Sequence, residues 1–294
     1  MAVCKFDVIQ PASVEAAIKT LAEFGPKAQV IAGGTDLLRD IRLGLKQPEL
    51  VVSLDKVEQL RGIQANDGGI DIGPLTTMAE LAVDDCVRQT IPALADAAAW
   101  MGSPQVRNRA TFGGNLCNAR PCADSAPPAI VCNAILSLTG PRGIRKVAAG
   151  EFMTAPGKTV KLADEILTNI RFPKLPPFTG SAFKTVTNRK AVEITITSAS
   201  ARITLESKDG RIADARVCLG SVAPTPIRAR ACEKSLIGQS PDESTFKSAA
   251  QAASGDCKPI DDLRSSAIYR SWMVEVLVER ALTTALARTK RGAA

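Results

Sequence analysis

Histidine is absent from this chain of 294 residues. That removes Ser-His-Asp and Cys-His catalysis and histidine-ligated metal centres. Any chemistry must use Cys, Asp, Glu, Lys or Arg, or be carried by a cofactor. Aromatic residues make up 4% of the chain, with a single tyrosine, Tyr269, so a base-stacking surface lacks its material. The net charge of +7 comes from scattered lysines and arginines. That argues against nucleic acid and for a mildly basic face toward a nucleotide or an acidic partner. No apolar run reaches the roughly 18 residues of a membrane span. The opening MAVCKFDVIQ shows one lysine and no apolar h-region, so the expectation is a cytoplasmic chain without a secretory signal. Neither GxGxxG after a strand nor GxxxxGK(S/T) occurs, which leaves no Rossmann or P-loop reading.

What is present suits a globular chain of about two domains. Val14, Ala17, Ile18, Leu21 and Phe24 share one helical face behind a possible Ser13 cap, and Gly25-Pro26 stops the helix. Short strands are expected at 28–32, 50–54 and 69–73. Thr76 or Thr77 can cap a helix to about Val83, and an Ala-rich helix runs from Ile91 to Met101. The apolar stretch 129–138 reads as a helix passing into a strand. A Pro-rich linker, KLPPFTG, occupies 174–180. Beyond it, EITITSASARITLE (193–206), a turn at Lys208-Asp209-Gly210 and a strand at 211–219 give a hairpin signal. A last helix is expected over about 262–288. The class is α+β, with domains at 1–174 (parts at about 1–56 and 57–174) and 175–294.

Two glycine-pair turns stand out: Ile31-Ala32-Gly33-Gly34-Thr35-Asp36-Leu37 and Thr111-Phe112-Gly113-Gly114-Asn115. Glycine lets backbone N–H groups approach an oxyanion without an intervening Cβ and accepts positive φ. Successive N–H groups in such turns form an anion-binding nest, and two nests suit a dinucleotide spanning two elements. Each pair can equally be an ordinary tight turn.

AGGTDLL (32–38) with RNRATFGGNLCNA (107–119) resembles the flavoprotein subunit of the molybdenum hydroxylases. The family includes xanthine dehydrogenase, the carbon monoxide dehydrogenase medium subunit and the flavin subunit of 4-hydroxybenzoyl-CoA reductase. IGPLTTMAEL (72–81), EILTNIRFP (165–173), SAFK (181–184), DGRIADARVCLGSVAPTPIRA (209–229) and SSAIYR (265–270) resemble the family in the same order. The resemblance implies a two-part FAD-binding domain of the p-cresol methylhydroxylase type, then a C-terminal domain on a three-stranded sheet with helices. It implies FAD contacts at Ile31, Ala32, Gly33, Gly34, Thr35, Asp36 and Leu37, and at Thr76 and Thr77. Further contacts are implied at Met101, at Thr111, Phe112, Gly113, Gly114 and Asn115, and at Asp124, Leu167 and Lys184. It implies an electron-transfer role beside an iron–sulfur small subunit with two [2Fe–2S] clusters and a large molybdenum-pterin subunit. The expected assembly is a dimer of heterotrimers. Neither partner cofactor nor a catalytic residue is expected in this chain.

The chain departs from relatives at Asn118, where some carry histidine, and has no evident match to a flavin-shielding tyrosine. The missing histidine removes the commonest covalent flavin link. Cys117, Cys122 and Cys132 lie close together in sequence and pose a metal question, because iron–sulfur clusters take cysteine thiolates. Three ligands and no inserted loop favour buried thiols and no metal. A scaffold subunit without FAD and a stand-alone flavin oxidase are the alternative readings.

Overall fold

The structure, a computed structural model, describes residues 5–190 and 192–289; Cys4 lies outside them. The chain opens with three short parallel strands, β1 (Asp7–Ile9), β2 (Ala28–Ile31) and β3 (Leu50–Ser53), ordered β1-β3-β2. The helix Val14–Phe24 covers this sheet. Ser13 caps it by accepting from the Ala16 N–H, and Val14, Ala17, Ile18 and Leu21 are buried with Leu50 and Val52. The predicted apolar stripe therefore faces the sheet, as its helical spacing requires.

A second, antiparallel sheet follows: β4 (Ile63–Asn66), β5 (Gly69–Ile72), β6 (Ile135–Gly140), β7 (Gly143–Ala148) and β10 (Ile166–Pro173), ordered β4-β5-β10-β6-β7. The pair β8 (Met153–Ala155) and β9 (Lys158–Thr159) stands apart. Ile72, Leu136 and Ile170 point from this sheet into a core shared with the helices Met78–Val83 and Pro92–Trp100. The 129–138 stretch divides as expected, into the helix Ala126–Val131 and β6. Asn133, at φ 59°, makes the break.

The C-terminal part is an antiparallel sheet of β11 (Thr179–Val186), β12 (Thr197–Leu205), β13 (Ile212–Gly220) and β14 (Ile227–Arg228). Three long strands match the expectation, and a two-residue strand adds a fourth. Every residue of β12 is buried. The last helix covers the sheet, and the helices Ala126–Val131 and Pro92–Trp100 pack against it from the first part of the chain. That two-sided cover explains why the stretch lacks clean alternation. The last helix begins at Ala267, later than the expected Asp262. Asp262 Oδ1 accepts from the Arg264 and Ser265 N–H groups, and Asp261 Oδ1 accepts from the Ala267 N–H. These carboxylates hold the preceding residues as turns.

Candidate cofactor cleft

The strand β2 runs straight into the first glycine pair. Ile31 O accepts from the Leu54 N–H at 3.0 Å, which ends the pairing with β3 and releases the chain into the turn. Gly34 then takes φ +75°, the left-handed region that glycine enters freely. Among the described residues, no protein group accepts from the backbone N–H of Gly33, Gly34, Thr35 or Asp36. Gly33 and Gly34 are half-buried, so four adjacent donors stand ready for an external acceptor.

The second glycine pair behaves differently. Its N–H groups are engaged by the protein: Phe112 with Thr76 O at 2.9 Å, Gly113 with Pro74 O at 2.8 Å, and Gly114 with Thr111 Oγ1 at 3.1 Å. The segment is the capped first turn of the helix Phe112–Asn118. Of the two turns expected to form nests, only the first leaves its amides without an acceptor among the described residues. At the second, close packing fixes the glycine: a Cβ on Gly113 would lie 2.4 Å from Pro74 Cβ.

Between the two turns lies a cleft of about 460 Å³. The structure brings Ile31 to Leu37, Met101, Thr111, Gly113, Gly114, Asn115, Asp124 and Leu167 into its walls. Four expected residues lie elsewhere. Thr76 is buried and donates its hydroxyl to Gly62 O, while Thr77 caps the helix Met78–Val83 in a capping box with Glu80. Phe112 is fully buried, with its ring stacked on Phe172 at 6.2 Å. Lys184 sits on β11 opposite Ala199, outside the cleft walls. Thr76, Thr77 and Phe112 brace the fold around the cleft through these contacts.

Two side chains on the far wall are firmly held. Asn115 Oδ1 accepts from the buried Ser125 hydroxyl at 2.6 Å. Asp124 Oδ1 accepts from Thr195 Oγ1 at 2.6 Å. Burial pushes the Asp124 carboxyl up to about 7, against the opposing pull of the Thr195 hydroxyl. Asp36 is also raised, by burial first, with Arg120 acting in the opposite direction.

Lys46, Lys161 and Glu193 also line the cleft. Nothing in their local sequence marks them, because each arrives on an irregular segment. Cys117 and Cys122 line it too, with thiols pushed up to about 11 by burial, while Cys132 is buried in the core. Burial thus disfavours their ionised forms. Among the described residues no group of three or more His, Cys, Asp or Glu is placed to hold a metal ion.

Residues 4–175 match the model of the FAD binding domain in molybdopterin dehydrogenase. The chain belongs to that flavoprotein family. Residues 181–285 match the CO dehydrogenase flavoprotein C-terminal domain. The xanthine dehydrogenase FAD-binding subunit of Escherichia coli O157:H7 is 34% identical over 278 residues, 94% of each chain. The carbon monoxide dehydrogenase medium chain of Hydrogenophaga pseudoflava is 32% identical, covering 97% of this chain and 98% of that one. A solved structure of carbon monoxide dehydrogenase from Hydrogenophaga pseudoflava, lacking the Mo-pyranopterin moiety, superposes with a TM-score of 0.93. It shares 33% identity and is matched over 98% of this chain and 99% of that one. This flavoprotein therefore has the oxidoreductase-subunit fold over nearly its whole length. No helix among its described residues is long and apolar enough to cross a membrane.

Proposed function

We propose that this chain is the FAD-carrying electron-transfer subunit of a cytoplasmic molybdenum hydroxylase complex. The observation that carries the reading is the row of N–H groups at Gly33 to Asp36, which find no acceptor among the described residues, in a cleft that Asn115 and Asp124 also line. Consecutive backbone donors suit pyrophosphate oxygens, and Lys46 and Lys161 add positive charge in the same walls. Met101, Leu167 and Ile31 supply apolar surface for a flat ring. Asp124 and Asn115 supply polar partners for hydroxyl and N–H groups. The residues present therefore fit FAD.

When bound, FAD supplies electron carriage between the iron–sulfur clusters of a partner and a terminal acceptor. The protein's part is to bind, orient and shield it. The expected partners are an iron–sulfur small subunit and a molybdopterin large subunit, in a dimer of heterotrimers. Substrate oxidation falls to the large subunit.

The test is the visible spectrum and extracted flavin of the purified full chain. Flavin bands with close to one FAD per chain are expected. A colourless chain that gains no flavin on incubation with FAD overturns the reading.

A further inference from the structure

Asp124 is held across the two main parts of the chain. Thr195 lies just ahead of β12, in the C-terminal part, and its hydroxyl donates to Asp124 Oδ1 at 2.6 Å. Both residues are buried. Thr195 is itself fixed from several sides. Thr185 Oγ1 lies 3.1 Å from Thr195 Oγ1, and Ser221 Oγ donates to Thr195 O at 3.2 Å. Arg270, buried on the last helix, donates from Nη1 to Ile196 O and Ser221 O, and from Nη2 to Asp262 Oδ1. A continuous set of buried and part-buried polar contacts thus connects the last helix with the cleft wall. No described residue donates to Asp124 Oδ2, and Asp124 lines the cleft.

We propose that Thr195 is a positioning residue for the cleft: its hydroxyl occupies Asp124 Oδ1 and leaves Oδ2 to accept from a hydroxyl or N–H donor of the bound flavin nucleotide. The inference rests on reading the cleft as an FAD site. It assigns a role in cofactor binding to the C-terminal part, through a residue that need not touch the cofactor.

Burial favours the protonated carboxyl and the Thr195 donor favours the ionised one. The other ionisable side chains in the cleft are Asp36 and Lys46 on one wall, Cys117, Cys122, Lys161 and Glu165 on the other, and Glu193 ahead of β12. Glu165 is paired with Arg145, Glu193 with Arg189, and neither cysteine is ionised near neutral pH. Among the described residues, the Thr195 hydroxyl is the contact that opposes burial at Asp124.

The experiment measures FAD affinity of the full chain against pH by quenching of flavin fluorescence. Wild type should bind more tightly as pH rises through about 7. Thr195→Val should move that inflection upward by roughly one pH unit or more, whereas Thr195→Ser, which keeps the donor, should leave it in place. Asp124→Asn should remove it. An inflection unmoved in Thr195→Val, or moved equally in Thr195→Ser, overturns the assignment. The carboxyl C=O infrared band of ligand-free protein, taken as wild type minus Asp124→Asn, reads the same shift without FAD. An infrared titration unmoved by Thr195→Val rejects the role of Thr195. Failure of wild type to bind FAD at any pH rejects the flavin reading instead.

Discussion

The carbonyl oxygen of Arg109 lies 1.8 Å from the point that a Cβ on Gly33 would occupy. The first glycine turn is therefore pressed against the backbone that leads into the second, and the two walls of the cleft meet there.

Backbone cannot swing aside as a flexible side chain can, so Gly33→Ala must separate the two segments. A loss of about 1–3 kcal/mol is expected, together with a marked fall in flavin content. Gly150→Ala is the control, because its nearest neighbour is Ile130 Cγ2 at 3.8 Å. Thermal melts and extracted flavin check both variants. A Gly33→Ala protein that is as stable and as yellow as wild type would refute this account of the turn.

Asp124 imposes a pH dependence on folding. Its folded-state value is raised from 3.8 to about 7, so the folded form holds a proton that the unfolded form releases. Its stabilising contribution is complete below the unfolded value and is lost as pH rises through about 7. Ligand-free Asp124→Asn should therefore gain on wild type between pH 5 and pH 8. Urea midpoints at those two values test this. A gap between the proteins that does not change with pH removes the claim.

A bidentate side-chain pair joins the last helix directly to the first part of the chain. Arg288 Nη1 and Nη2 reach Asp96 Oδ2 and Oδ1 at 2.6 and 2.9 Å, and Asp96 also accepts from the Phe183 N–H. Bidentate, half-buried pairs of this kind exceed ordinary surface ion pairs. Asp96→Ala should cost about 1–3 kcal/mol, read as a lower melting temperature. An unchanged melt shows the pair to be ornamental.

The cysteines in the cleft should behave as protonated thiols. Burial pushes Cys117 and Cys122 up to about 11, so iodoacetamide should label them slowly at pH 7.5. FAD should slow the labelling further, since both line the cleft. Iron in the same preparation should stay far below one atom per chain. Rapid labelling, or stoichiometric iron, would reopen the cluster reading.

Much of this was legible in the residues themselves. Ser13 as a cap, the stripe Val14 to Leu21 and the strand before Gly33 follow from local periodicity and capping, which depend on a few neighbours. Family segments in their order also placed Asp124 and Leu167, which do line the cleft. The start of the last helix was less legible, because Asp262 takes the amides of Arg264 and Ser265 while Asp261 takes that of Ala267, the first helical residue.

The sequence by itself determined that two glycine turns exist, that one follows a strand, and which family the chain resembles. Only the tertiary structure decided which turn is open. The amides at Gly33 to Asp36 find no acceptor among the described residues, whereas those at Phe112 to Gly114 are claimed by Thr76, Pro74 and Thr111. Tertiary structure likewise brought Lys46, Lys161 and Glu193 to the cleft, and Thr195 to Asp124. The physical reason is the same in each case. A turn's conformation, and a local cap such as Thr111 on Gly114, are set by its own residues, but the amides of Phe112 and Gly113 are claimed by a distant part of the chain packed against them.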